Sequence, residues 1–173
     1  MTDGPNRNRA ASAFPPGHGR SFPLGATLYP EGVNFSVFSK DSESLELLLF
    51  DSVDDPAPSR VIKLDRIINR TYHYWHVFIP GIGAGQLYAY RARGPFAPDK
   101  GLRFDPGKVL LDPYGRCIAR PLLYSRDAAC KPGDNTAFAM KNAVVDVAAY
   151  DWEGDEPPRR PFAIRTQSTQ ASA

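Results

Sequence analysis

Apolar and polar residues alternate along Val33-Asn34-Phe35-Ser36-Val37, which places Val33, Phe35 and Val37 on one face of an extended segment running to Ser39. Leu45 to Phe50 is an almost unbroken apolar run, long enough for a strand buried on both faces. Arg60 to Leu64 is a short β-branched piece. Thr71 to Ile79, TYHYWHVFI, is the strongest strand signal, made almost wholly of aromatic and β-branched residues. It stops at the turn signal Pro80-Gly81. In Gln86 to Arg93, Tyr88 and Tyr90 share one face, and Arg91 and Arg93 share the other. The short glycine-containing link between these last two segments predicts an antiparallel hairpin.

Beyond Gly94 the pattern weakens. Lys108 to Leu111 is expected to form one helical turn, stopped by Asp112-Pro113. Val144 to Trp152 reads as a weak final extended segment. Many short strands separated by turns predict an all-β sandwich with an irregular C-terminal extension. Residues 1–20 and 157–173 are polar and rich in Pro, Gly, Arg and Ser, and read as flexible tails. The expected domain is therefore 21–156.

At 173 residues the chain can bury a core without staples, yet it is too short for a (β/α)₈ barrel of about 250 residues. A hydrophobic content of 42% and a charged content of 23% fit a soluble globular domain. The net charge of +2, with basic residues scattered, argues against nucleic acid as a partner. No apolar run approaches the roughly 18 residues of a membrane span. Cys117 and Cys130 match no metal spacing and read as thiols in a cytoplasmic protein.

Chemistry is sparse. His73 and His76 lie three apart in the strongest strand, so they are expected to face opposite ways and hold no metal. There is no nucleophile elbow and no phosphate-binding glycine loop. Asp105 and Asp112 each precede a proline, a setting that shapes turns. No catalytic residue, metal site or cofactor is expected. Aromatic rings that could stack on sugars remain: Trp75, Tyr72 and Tyr74 are the candidate carbohydrate-binding residues.

An ordered series of segments carries a family resemblance. It runs through Pro23-Leu24-Gly25-Ala26-Thr27, Gly32-Val33-Asn34-Phe35-Ser36-Val37-Phe38-Ser39 and Leu47-Leu48-Leu49-Phe50-Asp51. It continues with Asn69-Arg70-Thr71-Tyr72-His73-Tyr74-Trp75-His76, Gly85-Gln86-Leu87-Tyr88-Ala89-Tyr90-Arg91, Leu110-Leu111-Asp112-Pro113-Tyr114 and Tyr150-Asp151-Trp152-Glu153-Gly154-Asp155. The series resembles the N-terminal domain of bacterial glycogen debranching enzymes and isoamylases, in glycoside hydrolase family 13. The resemblance implies an immunoglobulin-like sandwich of the early-set type, carbohydrate-binding module family 48. It also implies a role in α-glucan metabolism. In that family a barrel that cleaves α-1,6 branches follows and carries the catalytic carboxylates.

No such barrel is legible here, so no position inherits those carboxylates, and the chain is not expected to be an enzyme on its own. Three roles follow from the resemblance: scaffold or interaction module, free-standing weak α-glucan binder, or truncated piece of a debranching enzyme. The matching partners are a barrel-containing chain or a second copy, or glycogen and maltooligosaccharide. Glycogen-binding members of the family use loop tryptophans. The loop around Asp54 has no aromatic residue, and Leu102 and Phe104 stand before Asp105-Pro106.

Overall fold

The computed structural model describes residues 16–156. The strands are β1 (Gly25–Tyr29), β2 (Gly32–Phe38), β3 (Ser44–Phe50), β4 (Arg60–Leu64), β5 (Arg70–Thr71), β6 (Tyr74–Pro80) and β7 (Leu87–Arg93). After them come β8 (Phe96–Ala97), β9 (Leu102–Arg103), β10 (Ile118–Ala119) and β11 (Lys141–Ala143), with a short helix α1 (Arg126–Cys130) before β11. One large sheet has the order β1-β2-β6-β5 and the other β10-β11-β7-β3-β4, while β8 and β9 pair in a separate two-stranded ribbon. The two large sheets form an immunoglobulin-like sandwich, all pairings antiparallel.

Alternation decides what lies between the sheets. Val33, Phe35, Val37, Trp75, Val77 and Ile79 line the inner face of the first sheet. Leu45, Leu47, Leu49, Tyr88, Tyr90 and Ala92 face them from the second. β3 is buried on both faces, as its almost unbroken apolar run predicts. Its other side, Leu48 and Phe50, joins Ala89, Val109 and Ala139 in a second core. The extension 105–144 therefore covers the outer face of the second sheet.

The middle of the outer face of the first sheet, with Asn34, Ser36 and His76, is polar yet buried, because an N-terminal strap crosses it. Asn34 accepts from the Arg20 N–H at 2.7 Å and donates to the Arg20 carbonyl at 2.9 Å. Ser36 Oγ donates to the Ser21 carbonyl at 2.8 Å, and His76 Nδ1 lies 2.9 Å from the His18 carbonyl. Gly17 exchanges two backbone hydrogen bonds with Phe78. Gly19 sits at φ 71, where an added Cβ would come within 2.6 Å of the Val77 backbone. The expected flexible tail 1–20 is thus corrected at its inner end: residues 17–20 are bonded to the sheet. Residues 1–15 and the expected tail 157–173 lie outside the described residues.

Four local expectations also change. The segment Thr71 to Ile79 is not one strand; the chain turns at Tyr72-His73, between β5 and β6. β6 and β7 do not form a hairpin. β6 pairs along its whole length with β2, and β7 with β3, so the link 81–86 crosses between sheets. Gly81 at φ 76 starts that crossing, Ile82 is buried in it, and Gln86 Nε2 ties it to the Phe50 carbonyl at 2.8 Å. Lys108 to Leu111 forms no helical turn, because Leu110 spends its backbone groups on Tyr90 at 2.8 and 2.9 Å. The last strand is β11, earlier than Val144; beyond Val144 the chain leaves the sheet.

Candidate functional site

The β5–β6 turn brings four rings together at one end of the first sheet. Phe38 and Tyr74 are register partners across β2 and β6, with ring centroids 5.5 Å apart in an edge-to-face arrangement. His73 lies 6.0 Å from Phe38, and Tyr72 lies 3.7 Å from His73, tilted over it. Tyr72 is 78% exposed and Phe38 43%; His73 and Tyr74 are half-buried. The result is an aromatic ledge whose most exposed rings are Tyr72 and Phe38.

Trp75 is not part of that ledge. It points inward, wholly buried in the main core, so no face of its ring is free to stack on a sugar. This corrects the expected platform at Trp75, and the reason is strand alternation: Tyr74 points out and Trp75 points in. Trp75 serves as a pedestal instead. Its Nε1–H donates to the Ser39 carbonyl at 3.2 Å, and the Arg70 guanidinium rests 4.9 Å from its ring centre. Arg70 Nε donates to the Tyr72 carbonyl at 2.9 Å, and its Nη2 donates to the Lys40 carbonyl at 3.0 Å. The Ser39 N–H donates to the His73 carbonyl at 2.9 Å. The turn and the loop after β2 are therefore fixed to each other.

The two remaining candidates, Tyr72 and Tyr74, do come together, and Phe38 and His73 join them. Sequence alone does not single out Phe38, because it closes the alternating run on the outward face and only its pairing with Tyr74 across the sheet brings it to the ledge. His73 reads as a strand residue in the sequence, whereas it lies in the turn between β5 and β6. Its Nδ1 is buried and has no hydrogen-bond partner among the described residues.

Phe38 also borders a cleft of about 580 Å³, lined by Leu102, Phe104 and Leu110 with Lys40 and Arg103 among its polar residues. Lys108 reaches this wall, but its ammonium is fully engaged. It donates to the carbonyls of Ala128, Lys131 and Gly133 around the end of α1. The outer face of the second sheet is closed. Lys141, wholly buried, spans it by donating to the Val53 carbonyl at 2.6 Å, with its ammonium 4.7 Å from the Phe50 ring centre. The Leu122 N–H donates to Asp54 at 2.7 Å, so the Asp54 loop is sealed against the extension.

The carboxylates hold structure together. Asp105 accepts from the Gly107 N–H at 2.8 Å. Asp112 accepts from the Tyr114 N–H and from the Tyr88 hydroxyl, both at 2.9 Å. Burial pushes the Asp112 carboxyl above its ordinary value, and burial followed by the Asp112 charge pushes the Tyr88 phenol far up. His76 is occupied at both nitrogens, by His18 and by Thr71 Oγ1 at 2.9 Å. Among the described residues no three of His, Cys, Asp and Glu gather as metal ligands, and no helix is long and apolar enough to cross a membrane.

Comparison with known proteins agrees with this architecture. The sequence profile of carbohydrate-binding module 48, the isoamylase N-terminal domain, matches residues 23–115. Similar curated proteins include the glycogen debranching enzyme of Serratia proteamaculans, 38% identical over 148 residues, covering 83% of this chain and 22% of that protein. A second is the glycogen operon protein GlgX homolog of Mycobacterium tuberculosis, 38% identical over 156 residues, covering 83% of this chain and 21% of that protein. The chain spans about a fifth of the length of these relatives. The pullulanase of Paenibacillus barengoltzii is similar in structure, with a TM-score of 0.55 and 17% identity over 83% of this chain and 18% of that one. That likeness bears on the fold alone.

Proposed function

We infer the function from one premise: the chain belongs to the carbohydrate-binding module 48 family, the isoamylase N-terminal domain. We propose that it is the non-catalytic sandwich of an α-glucan debranching system, acting as scaffold for a barrel that cleaves α-1,6 branches. The observation that carries this reading is the closed second sheet. Its outer face, with Leu48, Phe50 and Ala89, lies under the chain's own extension and offers no open sugar platform. The same extension leaves Ile118, Leu122 and Leu123 exposed at 55%, 91% and 69%. Large apolar side chains held outward on an ordered segment are what a domain interface covers.

The test supplies the catalytic portion of a relative, such as the Serratia debranching enzyme, in trans. Co-purification that is lost in a Leu122→Ser/Leu123→Ser double variant supports the scaffold. Failure of the unmodified chain to associate, with light scattering showing a strict monomer, counts against it.

A second reading rests on the aromatic ledge. Tyr72 and Phe38 are exposed and Tyr74 is half-buried beside them, an aromatic cluster at a fixed turn that suits weak stacking of α-glucan, glycogen or maltooligosaccharide. Calorimetric titration with maltoheptaose tests it, and silence at millimolar sugar refutes it. The proposed location is the cytoplasm, where the exposed Cys117 and Cys130 persist as free thiols.

A further inference from the structure

We propose that His73 is a ligand-reading group of the aromatic ledge and that Tyr72 is its movable cover. This rests on the glucan-binding reading of the ledge and goes beyond it, because it assigns a polar contact as well as stacking surfaces. The ligand is a neutral polyhydroxyl compound with a flat apolar face, a pyranose unit of a glucan chain. One hydroxyl pairs with His73 Nδ1 while Phe38, Tyr74 and the displaced Tyr72 ring supply apolar faces.

The first observation is Tyr72's backbone. It sits at φ 58, in the left-handed region that disfavours bulky side chains. Glycine or asparagine would make the same turn at lower cost. Nothing in the fold rewards the tyrosine ring by burial, since the residue is 78% exposed. Arg70, braced on Trp75, holds the strained residue by its carbonyl. A strained conformation kept by surrounding bonds, with an exposed ring as its outcome, points to a role in contact.

The second observation is independent of the first. His73 Nδ1 is buried and has no partner among the described residues, whereas buried polar atoms are almost always paired. The Tyr72 ring lies over the imidazole at 3.7 Å between centroids, and Phe38 flanks it at 6.0 Å. Rotation of an exposed ring is fast and cheap compared with moving backbone. Swinging Tyr72 aside opens Nδ1 to a hydroxyl, and the nitrogen gains the partner it lacks. An imidazole nitrogen serves as acceptor or donor according to tautomer, so either sense of a hydroxyl is satisfied.

The full chain and three kinds of variant test this by calorimetric titration with maltoheptaose, alongside melting curves. His73→Phe keeps a ring against Phe38 and removes both nitrogens; it should weaken binding about fivefold, the value of one hydrogen bond. Tyr72→Gly should raise the melting temperature and weaken binding together, an opposition that a purely structural residue does not produce. In the unmodified chain the His73 Nδ1 nitrogen resonance should shift on adding sugar. Unchanged affinity in His73→Phe, or a lower melting temperature with unchanged affinity in Tyr72→Gly, overturns the proposal. If Phe38→Ala and Tyr74→Ala lose binding while His73→Phe does not, the proposal falls and the glucan reading stands. No binding by the unmodified chain at millimolar sugar overturns both.

Discussion

Asn34 grips the backbone of Arg20 with both ends of its amide, at 2.7 and 2.9 Å, and is itself 1% exposed. A side chain that reads only backbone makes the strap insensitive to most of its own sequence. It also makes the sheet face depend on the strap, because Asn34, Ser36 and His76 are buried polar residues that need those partners. Asn34→Ala should lower stability by about 1–3 kcal/mol by orphaning the Arg20 groups. Amide exchange at Arg20 should rise in step. An unchanged exchange rate there is incompatible with this role.

The strap has one position where size matters. Gly19→Ala adds a Cβ within 2.6 Å of the Val77 backbone, at a φ of 71 that penalises any side chain. It should release residues 17–21 while the sandwich stays folded. Limited proteolysis near Gly19, compared with Gly83→Ala where no atom lies within 4 Å, reports the difference.

Trp75 is a core residue, so its loss should be felt as stability. Trp75→Ala should cost about 3–5 kcal/mol. Trp75→Phe should retain fold and ledge, losing chiefly the bond to the Ser39 carbonyl. Any sugar affinity of the chain should survive Trp75→Phe; loss of affinity with an intact melting curve would return Trp75 to the list of contact residues.

Tyr88 and Asp112 predict a dependence on pH. The folded value of the Asp112 carboxyl is raised above 3.8 by burial, so the folded chain holds that proton more tightly than the unfolded chain. Its contribution to stability is therefore greatest below the unfolded value and is lost as pH rises through the folded one. The Tyr88 hydroxyl opposes this by donating to the ionised form at 2.9 Å. Tyr88→Phe should push the Asp112 carboxyl higher still. It should cost about 1.5–3 kcal/mol near neutral pH, the value of a bond to a charged group, and less in acid. Carboxyl NMR titration of Asp112 and denaturant melts at two pH values check both halves.

Much of the sandwich could be read from the chain. The alternation in Val33 to Val37 fixed which residues of β2 face inward, and the apolar run from Leu45 to Phe50, broken only by Glu46, correctly implied burial on both faces. The ordered family segments, from Pro23 to Asp155, carried the family, and the profile match covers residues 23–115 of that span. These features are local: a side-chain period of two, or a run of apolar residues, means the same thing wherever the strand lies. Partner choice is not local. Only tertiary structure placed β6 and β7 in different sheets, since a short glycine link suits both a hairpin and a crossing. It alone turned at Tyr72, because a tyrosine in the left-handed region runs against its own preference and is held there by Arg70 and Trp75. That single turn decided the site: it put Trp75 in the core, Tyr72 on the surface, Tyr74 half-buried on the outer face, and His73 between them with a nitrogen unpaired among the described residues.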